Sequence, residues 1–274
     1  MMQIDCHAHV FRRDLPLTPG HRHAPQHDAL LPELLGLFDA HGITHGVLTA
    51  PSFLGTDNSY LLSALAAAPE RLRGTVIVDS GISCAELEDL NQLGVVGIRF
   101  NLFRRADLPG LGGAAWRRVL ESAAALDWHA EIYVEGPRLP ALLAPALESG
   151  IKVVVDHFGS PDPQLRLDCP GFRALLDAVN SGRTWVKLSA PYRLGGVDPQ
   201  PYVEALIRAG PQRLVWASDW PWTQNSEGMT YRRTLDWLGA WVPDRAMRET
   251  ILGATPLELF GFGKEKRRCA RPPS

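Results

Sequence analysis

The sequence lacks most of the features that mark secreted, membrane-bound or nucleic-acid-binding chains. Its 274 residues hold only four cysteines, Cys6, Cys84, Cys169 and Cys269, far apart and with no Cys-x-x-Cys pair. That spacing argues against a structural zinc knuckle or a disulfide framework and for reduced thiols. Basic and acidic side chains nearly balance, 28 against 30, so no long-range field gathers nucleic acid or an anionic membrane. No apolar run approaches the roughly 18–20 residues needed to span a bilayer. The start, Met1-Met2-Gln3-Ile4-Asp5-Cys6-His7, is too short and polar for a signal peptide, so a cytoplasmic protein is expected. No Gly-x-Gly-x-x-Gly follows the first strand, and Gly-x-x-x-x-Gly-Lys-Ser/Thr occurs nowhere, which leaves no dinucleotide or P-loop signature.

What is present is a repeat of short apolar segments and helical stretches, in a chain whose hydrophobic fraction of 45% is ordinary for a globular protein. Eight segments rich in β-branched residues read as strands: Gln3–Asp5, Gly46–Thr49, Gly74–Asp79, Val95–Phe100, Ala130–Val134, Lys152–Asp156, Trp185–Ser189 and Leu214–Ser218. Runs such as Val153-Val154-Val155 are apolar on both faces, which suits a parallel strand between covering helices and a barrel interior. Helices are predicted over Leu30–His41, Asn58–Ala68, Ala85–Gln92, Ala114–Leu126, Leu139–Ser149, Gly171–Asn180, Pro201–Arg208 and Thr230–Trp241. Ser83-Cys84-Ala85-Glu86 is a capping-box pattern, and Gly42, Gly94 and Gly150 stand where helix ends favour a left-handed residue. Units of about 34 residues predict a (β/α)₈ barrel, with a doubly wound open sheet as the competing architecture. A single domain is expected over residues 1–263. The segment from Lys264 to Ser274, with five basic residues and one acidic one, reads as a flexible, solvated tail.

In such a barrel the chemistry gathers at the carboxyl ends of the strands. Asp5-Cys6-His7-Ala8-His9 ends the first, and alternation aims His7 and His9 the same way. The second leads to Ser52. Arg99 lies inside the fourth strand, where a buried guanidinium needs a carboxylate of the protein or of a ligand, and Arg104 and Arg105 follow. His129, Glu131 and Tyr133 share a face of the fifth, with Tyr133 nearest the mouth. His157 follows the sixth strand, Lys187 to Arg193 covers the seventh and its loop, and Asp219 follows the eighth. The loop Arg12–His27 is long enough to fold over a barrel mouth; its His21, His23 and His27 receive no chemical role, nor do His41 and His45 beside Gly42.

This ordered set resembles the amidohydrolase superfamily. Within it, Gly97-Ile98-Arg99-Phe100-Asn101, Val155-Asp156-His157-Phe158-Gly159, Val186-Lys187-Leu188-Ser189 with Tyr192-Arg193, and Ser218-Asp219-Trp220-Pro221 are similar to the branch of 2-pyrone-4,6-dicarboxylate lactonases and related sugar-lactone hydrolases. The resemblance implies a distorted (β/α)₈ TIM barrel that opens a lactone, with Asp219, His7, His9 and His157 catalytic and Ser52, Arg99, Arg105, Tyr133 and Arg193 binding the substrate. Many superfamily members hold one or two divalent metals. Here Tyr133 stands where a fifth-strand histidine is common and Arg99 replaces a fourth-strand Lys or Glu, which implies the metal-independent branch. Trp222 departs from relatives that often carry histidine after Asp-Trp-Pro.

Chemically, Asp219 is expected to take a proton from water while His7, His9 and His157 polarise the carbonyl. Arg99, Arg105 and Arg193 are expected to grip substrate carboxylates. No cofactor is required in this scheme. The alternatives are one zinc ion on His7, His9, His157 and Asp219, and a non-catalytic anion-binding barrel. The expected partner is a small anionic lactone or dicarboxylate, with no nucleic acid or membrane, bound by a monomer or homodimer.

Overall fold

A computed structural model of the chain describes residues 2–265 and 267. Its eight strands are β1 (Ile4–Ala8), β2 (His45–Thr49), β3 (Leu72–Val76), β4 (Val95–Asn101), β5 (His129–Tyr133), β6 (Lys152–Val155), β7 (Thr184–Leu188) and β8 (Leu214–Trp216). Each pairs in parallel with the next, in sequence order. The ring closes just beyond β8, where Ala8 bridges Trp220. There the Asp219 N–H donates to the His7 carbonyl at 2.9 Å and the His9 N–H to that of Trp220 at 2.8 Å. The fold is therefore the (β/α)₈ TIM barrel and not the open sheet. Register shifts between Asp5 and Ala8 and between Gly74 and Thr75 distort it.

The eight helices that follow the strands are α1 (Leu31–His41), α2 (Ser59–Ala67), α3 (Cys84–Gln92), α4 (Ala114–Ala125), α5 (Pro140–Glu148), α6 (Pro170–Asn180), α7 (Gln200–Ala209) and α8 (Tyr231–Trp241). Their limits follow from local chemistry. At α3 the Ser83 hydroxyl accepts from the Glu86 N–H at 3.2 Å while the Glu86 carboxylate accepts from the Ser83 N–H at 2.8 Å. Gly171 opens α6 where a Cβ would sit 1.6 Å from the Gly136 carbonyl oxygen, so only glycine lets α6 approach the β5–α5 loop this closely.

The sequence pattern did not reveal the closure of the barrel floor. After α8 come α9 (Arg245–Glu249), a π-helical turn over Thr250–Ala254 and α10 (Thr255–Leu259). Leu259, Phe260 and Phe262 pack under the barrel against Ile4, Cys6, Val47, Val154, Trp185, Val215 and Ala217. Each such buried side chain contributes on the order of 1.5–3 kcal/mol. Of the predicted tail only residues 264, 265 and 267 are described, and the Arg267 carbonyl accepts from the Asn91 side-chain amide at 2.9 Å. Cys6 and Cys169 are free and buried. Cys84 is disulfide-bonded, which corrects the expectation of reduced thiols throughout. Spacing alone does not reveal a pairing that the fold creates. Among the described residues no helix is long and apolar enough to cross a membrane.

Candidate active site

Above the apolar floor the barrel interior turns charged. Arg99 on β4, Glu131 on β5, Asp156 just past β6 and Lys187 on β7 are all buried. The Lys187 ammonium lies 2.5 Å from Glu131 Oε2, 3.1 Å from Asp156 Oδ1 and 2.8 Å from His7 Nδ1, so each of its three protons has an acceptor. Arg99 donates to the Ala50 carbonyl at 2.6 Å, and its Nε and Nη2 lie 3.5 Å from Glu131 Oε1 and Asp156 Oδ2. Two cations thus neutralise two carboxylates, the condition under which charge is tolerated in a dry interior. Burial opposes ionisation of Glu131, as does Asp156, yet Lys187, His129 and His7 pull its pKa down to about 2. Burial likewise opposes the charge on Lys187, and Asp156 and Glu131 outweigh it, holding the ammonium more firmly than in water.

On this layer stands the cluster His7, His9, His157 and Asp219. The register shift near Cys6 brings both Cys6 and His7 against the interior, Cys6 against the apolar floor and His7 against Lys187. His9 donates its Nδ1–H to the Thr49 carbonyl at 2.7 Å, and its Nε2 lies 3.1 Å from Nε2 of His7. His157 is held by left-handed backbone at His157, Phe158 and Ser160 (φ 48°, 59° and 44°). Strain of this kind, on the order of 1–3 kcal/mol per residue, persists only where packing enforces it. Phe158 is fully buried against Trp241, and His157 Nδ1 meets the Ser189 hydroxyl at 2.8 Å. Burial lowers the pKa of His7 to about 4 and that of His157 to about 3, so both rings are neutral near pH 7.

Asp219 is divided between two tasks. Its Oδ2 accepts from the Tyr192 hydroxyl at 2.6 Å and from Arg193 Nε and Nη2 at 3.1 and 2.9 Å. Its Oδ1 faces three imidazoles, at 3.5 Å from His7 Nε2, 3.7 Å from His157 Nε2 and 3.8 Å from His9 Nε2. Burial raises its pKa, but Arg193 and the histidines more than reverse this and hold it well below the usual carboxylate range. Asp5 ties the two ends of the ring together: its carboxylate accepts from the Ser218 N–H and hydroxyl, the Tyr231 hydroxyl and the His7 N–H. It thereby sets His7 beside Asp219.

The cluster opens into a cavity of about 360 Å³ lined in part by Ser52, Arg99, Tyr133 and Arg193, as well as by Arg22, His23, Phe103 and Arg104. A larger space of about 640 Å³ adjoins it across His23, Thr223 and Gln224 and holds none of the four clustered groups. Of the residues expected from sequence, His7, His9, His157 and Asp219 converge, and Ser52, Arg99, Tyr133 and Arg193 line the space above them. Arg105 does not. It is exposed outside this lining; the left-handed backbone of Arg104 (φ 57°) turns the chain there and puts Arg104 in its place. Arg99 and Arg193, expected to hold substrate, each face carboxylates of the protein. Nor does His9 present a donor to the cavity, since its Nδ1–H is committed to Thr49 and its Nε2 faces that of His7. Sequence reasoning left Glu131, Asp156, Lys187, Tyr192 and Arg22 without a role. The available signal was a charge inside each of two otherwise apolar strands, Glu131 and Lys187.

Two groups of three donors lie within 4.8 Å of one another among the described residues, His7 with His157 and Asp219, and His7 with Glu131 and Asp156. The size suits a small cation, but the protons do not. The second group encloses the Lys187 ammonium, which is already its cation. In the first, His7 accepts from Lys187 at Nδ1, so its Nε2 carries a proton and offers no lone pair to a metal.

A parallel α/β barrel with buried imidazoles and one carboxylate meeting at the carboxyl ends of its strands defines a hydrolase of the barrel class. The chain belongs to the amidohydrolase family, whose model matches residues 4–262. It is 28% identical over 277 residues to a 2-pyrone-4,6-dicarboxylate hydrolase of Comamonas testosteroni, covering 94% of this chain and 89% of the relative. Two solved structures, provisionally assigned as 2-pyrone-4,6-dicarboxylic acid hydrolases, are similar throughout. One, from Pseudomonas putida, is 40% identical with a TM-score of 0.86 and covers 96% of this chain and 99% of its own. The other, from Acinetobacter baumannii with bound citric acid, is 34% identical with a TM-score of 0.88 and covers 96% and 100%.

Proposed function

We propose that this enzyme hydrolyses the lactone ring of a small substrate bearing two carboxylates, 2-pyrone-4,6-dicarboxylate or a close analogue, without a metal. The observation that carries the reading is Asp219 Oδ1, free of the Arg193 ion pair and turned toward three imidazoles at the base of a cationic cavity. Water, held by Asp219 Oδ1, gives its proton to Asp219 as its oxygen attacks the lactone carbonyl. The Nε2–H of His7, which faces His9 Nε2 at 3.1 Å in the substrate-free site, turns to the carbonyl oxygen as it becomes an oxyanion, beside His157. When the tetrahedral intermediate collapses, the ring C–O bond breaks and the proton on Asp219 passes to the departing oxygen. The product is the ring-opened acid, and Asp219 is again a carboxylate.

Substrate charge is read from which cations remain unmatched. Arg193 pairs with Asp219, and Arg99 and Lys187 pair with Glu131 and Asp156. Arg22 and Arg104 line the same cavity flanking Phe103, which stacks on Tyr133 at 4.8 Å, and no ion pair to either arginine is formed among the described residues. Two unmatched guanidiniums support a dianionic, planar substrate. The names of the relatives support the same class. The test is hydrolysis of a panel of mono- and dicarboxylated lactones, with and without chelator, on protein purified without added metal. Dicarboxylated lactones should be turned over best and the chelator should leave the rate unchanged. No turnover of any lactone would reject the activity, and stoichiometric zinc whose removal abolishes turnover would reject the metal-free scheme.

A further inference from the structure

Lys187 does more than neutralise Glu131 and Asp156, because its third proton is directed at His7. An ammonium has no lone pair, so across the 2.8 Å contact Nδ1 of His7 can only accept. A neutral imidazole that accepts at Nδ1 carries its proton at Nε2. That proton points into the cluster, where Nε2 of His9 lies 3.1 Å away. Since His9 donates at Nδ1 to a carbonyl, its Nε2 is an acceptor, and the bonds run in one direction from Lys187 through His7 and His9 to Thr49. Without the ammonium, Nδ1 would face only Asp156 Oδ1 at 3.3 Å and Glu131 Oε1 at 3.6 Å. Two carboxylates would draw the proton to Nδ1 and leave a lone pair on Nε2, which repels an oxyanion.

We infer that Lys187 is a positioning residue that selects the Nε2–H tautomer of His7 and thereby makes His7 a hydrogen-bond donor to the reacting oxygen. This rests on the lactone-opening reading only for its kinetic consequence. The tautomer itself is read in the substrate-free protein, by long-range ¹H–¹⁵N correlation of the imidazole nitrogens with His7 assigned through His7→Gln. The wild type should show Nε2 protonated. Lys187→Met should show Nδ1 protonated, with kcat lowered about 10² to 10³-fold and KM changed by less than about threefold, the scale of losing one oxyanion donor. Lys187→Arg, which keeps a charged donor, should retain the Nε2–H form. Because Lys187→Met leaves two carboxylates facing one cation, the double variant Lys187→Met with Glu131→Gln preserves the charge balance and is read the same way if the single variant does not fold. A wild-type ring protonated at Nδ1, or either Met variant retaining the Nε2–H form, overturns the inference. If the spectra agree and no lactone is hydrolysed, the tautomer assignment stands and the reaction class fails.

Discussion

Asp219→Asn tests the assignment of the base with little change in shape. The geometry dictates how the amide must lie. The position of Oδ2 receives donors from Tyr192 and twice from Arg193, so the amide oxygen must occupy it. The amide nitrogen then replaces Oδ1, which lies 3.5–3.8 Å from three imidazoles, and presents protons where the carboxylate offered lone pairs. A base is converted into a donor. Loss of general-base catalysis should lower kcat about 10²–10⁴-fold, about 3–5.5 kcal/mol of barrier. Arg22 and Arg104 are untouched, so KM should move little. Arg193 loses its charged partner, but its side chain is 20% exposed, so the stability loss should fall near or below the low end for a broken buried pair, about 2–3 kcal/mol. The assay is steady-state hydrolysis of a dicarboxylated lactone at neutral pH, with folding checked by circular dichroism. A kcat within about tenfold of wild type in folded protein would refute Asp219 as the base.

Acid should destabilise the protein from about pH 6.5 downward. His7 and His157 titrate at about 4 and about 3 when folded but near 6.5 when unfolded, so below that value the unfolded chain takes up protons that the folded chain refuses. Each histidine should remove about 2 kcal/mol by about pH 5. Glu131, at about 2 folded against 4.5 unfolded, extends the loss as pH falls below 4.5. Urea unfolding at several pH values measures this, and a flat profile from pH 7 to about 5 would contradict the burial of neutral imidazoles. Gly171→Ala places a methyl carbon 1.6 Å from the Gly136 carbonyl oxygen, and should cost on the order of 4–5 kcal/mol or prevent folding. A thermal midpoint within a few degrees of wild type would show that α6 can shift.

The strands were legible because their signal is local. Val153-Val154-Val155 is apolar on both faces whatever surrounds it, and the helix starts at Ser83 and the ends at Gly42, Gly94 and Gly150 follow backbone chemistry confined to a few residues. His7, His9, His157 and Asp219 were legible for a related reason: once a barrel is inferred, strand ends converge. Arg105 was misplaced because one residue of left-handed backbone at Arg104 decides which guanidinium enters the cavity, and several residue types adopt that conformation in a loop. The floor formed by Leu259, Phe260 and Phe262 was missed because α9 and α10 are each only five residues long, too short for a periodic pattern.

By itself the sequence determined the barrel, its order and the four groups at its mouth, since period and strand polarity are properties of neighbouring residues. Only the tertiary structure decided what those groups are chemically. Lys187 meets His7 across 180 positions of chain, Asp219 divides its oxygens between Arg193 and the imidazoles, and Arg22 arrives from a loop with no pattern of its own. Charge state, tautomer and hydrogen-bond direction depend on distances through space of a few ångströms, and these exist only once the ring of strands has closed.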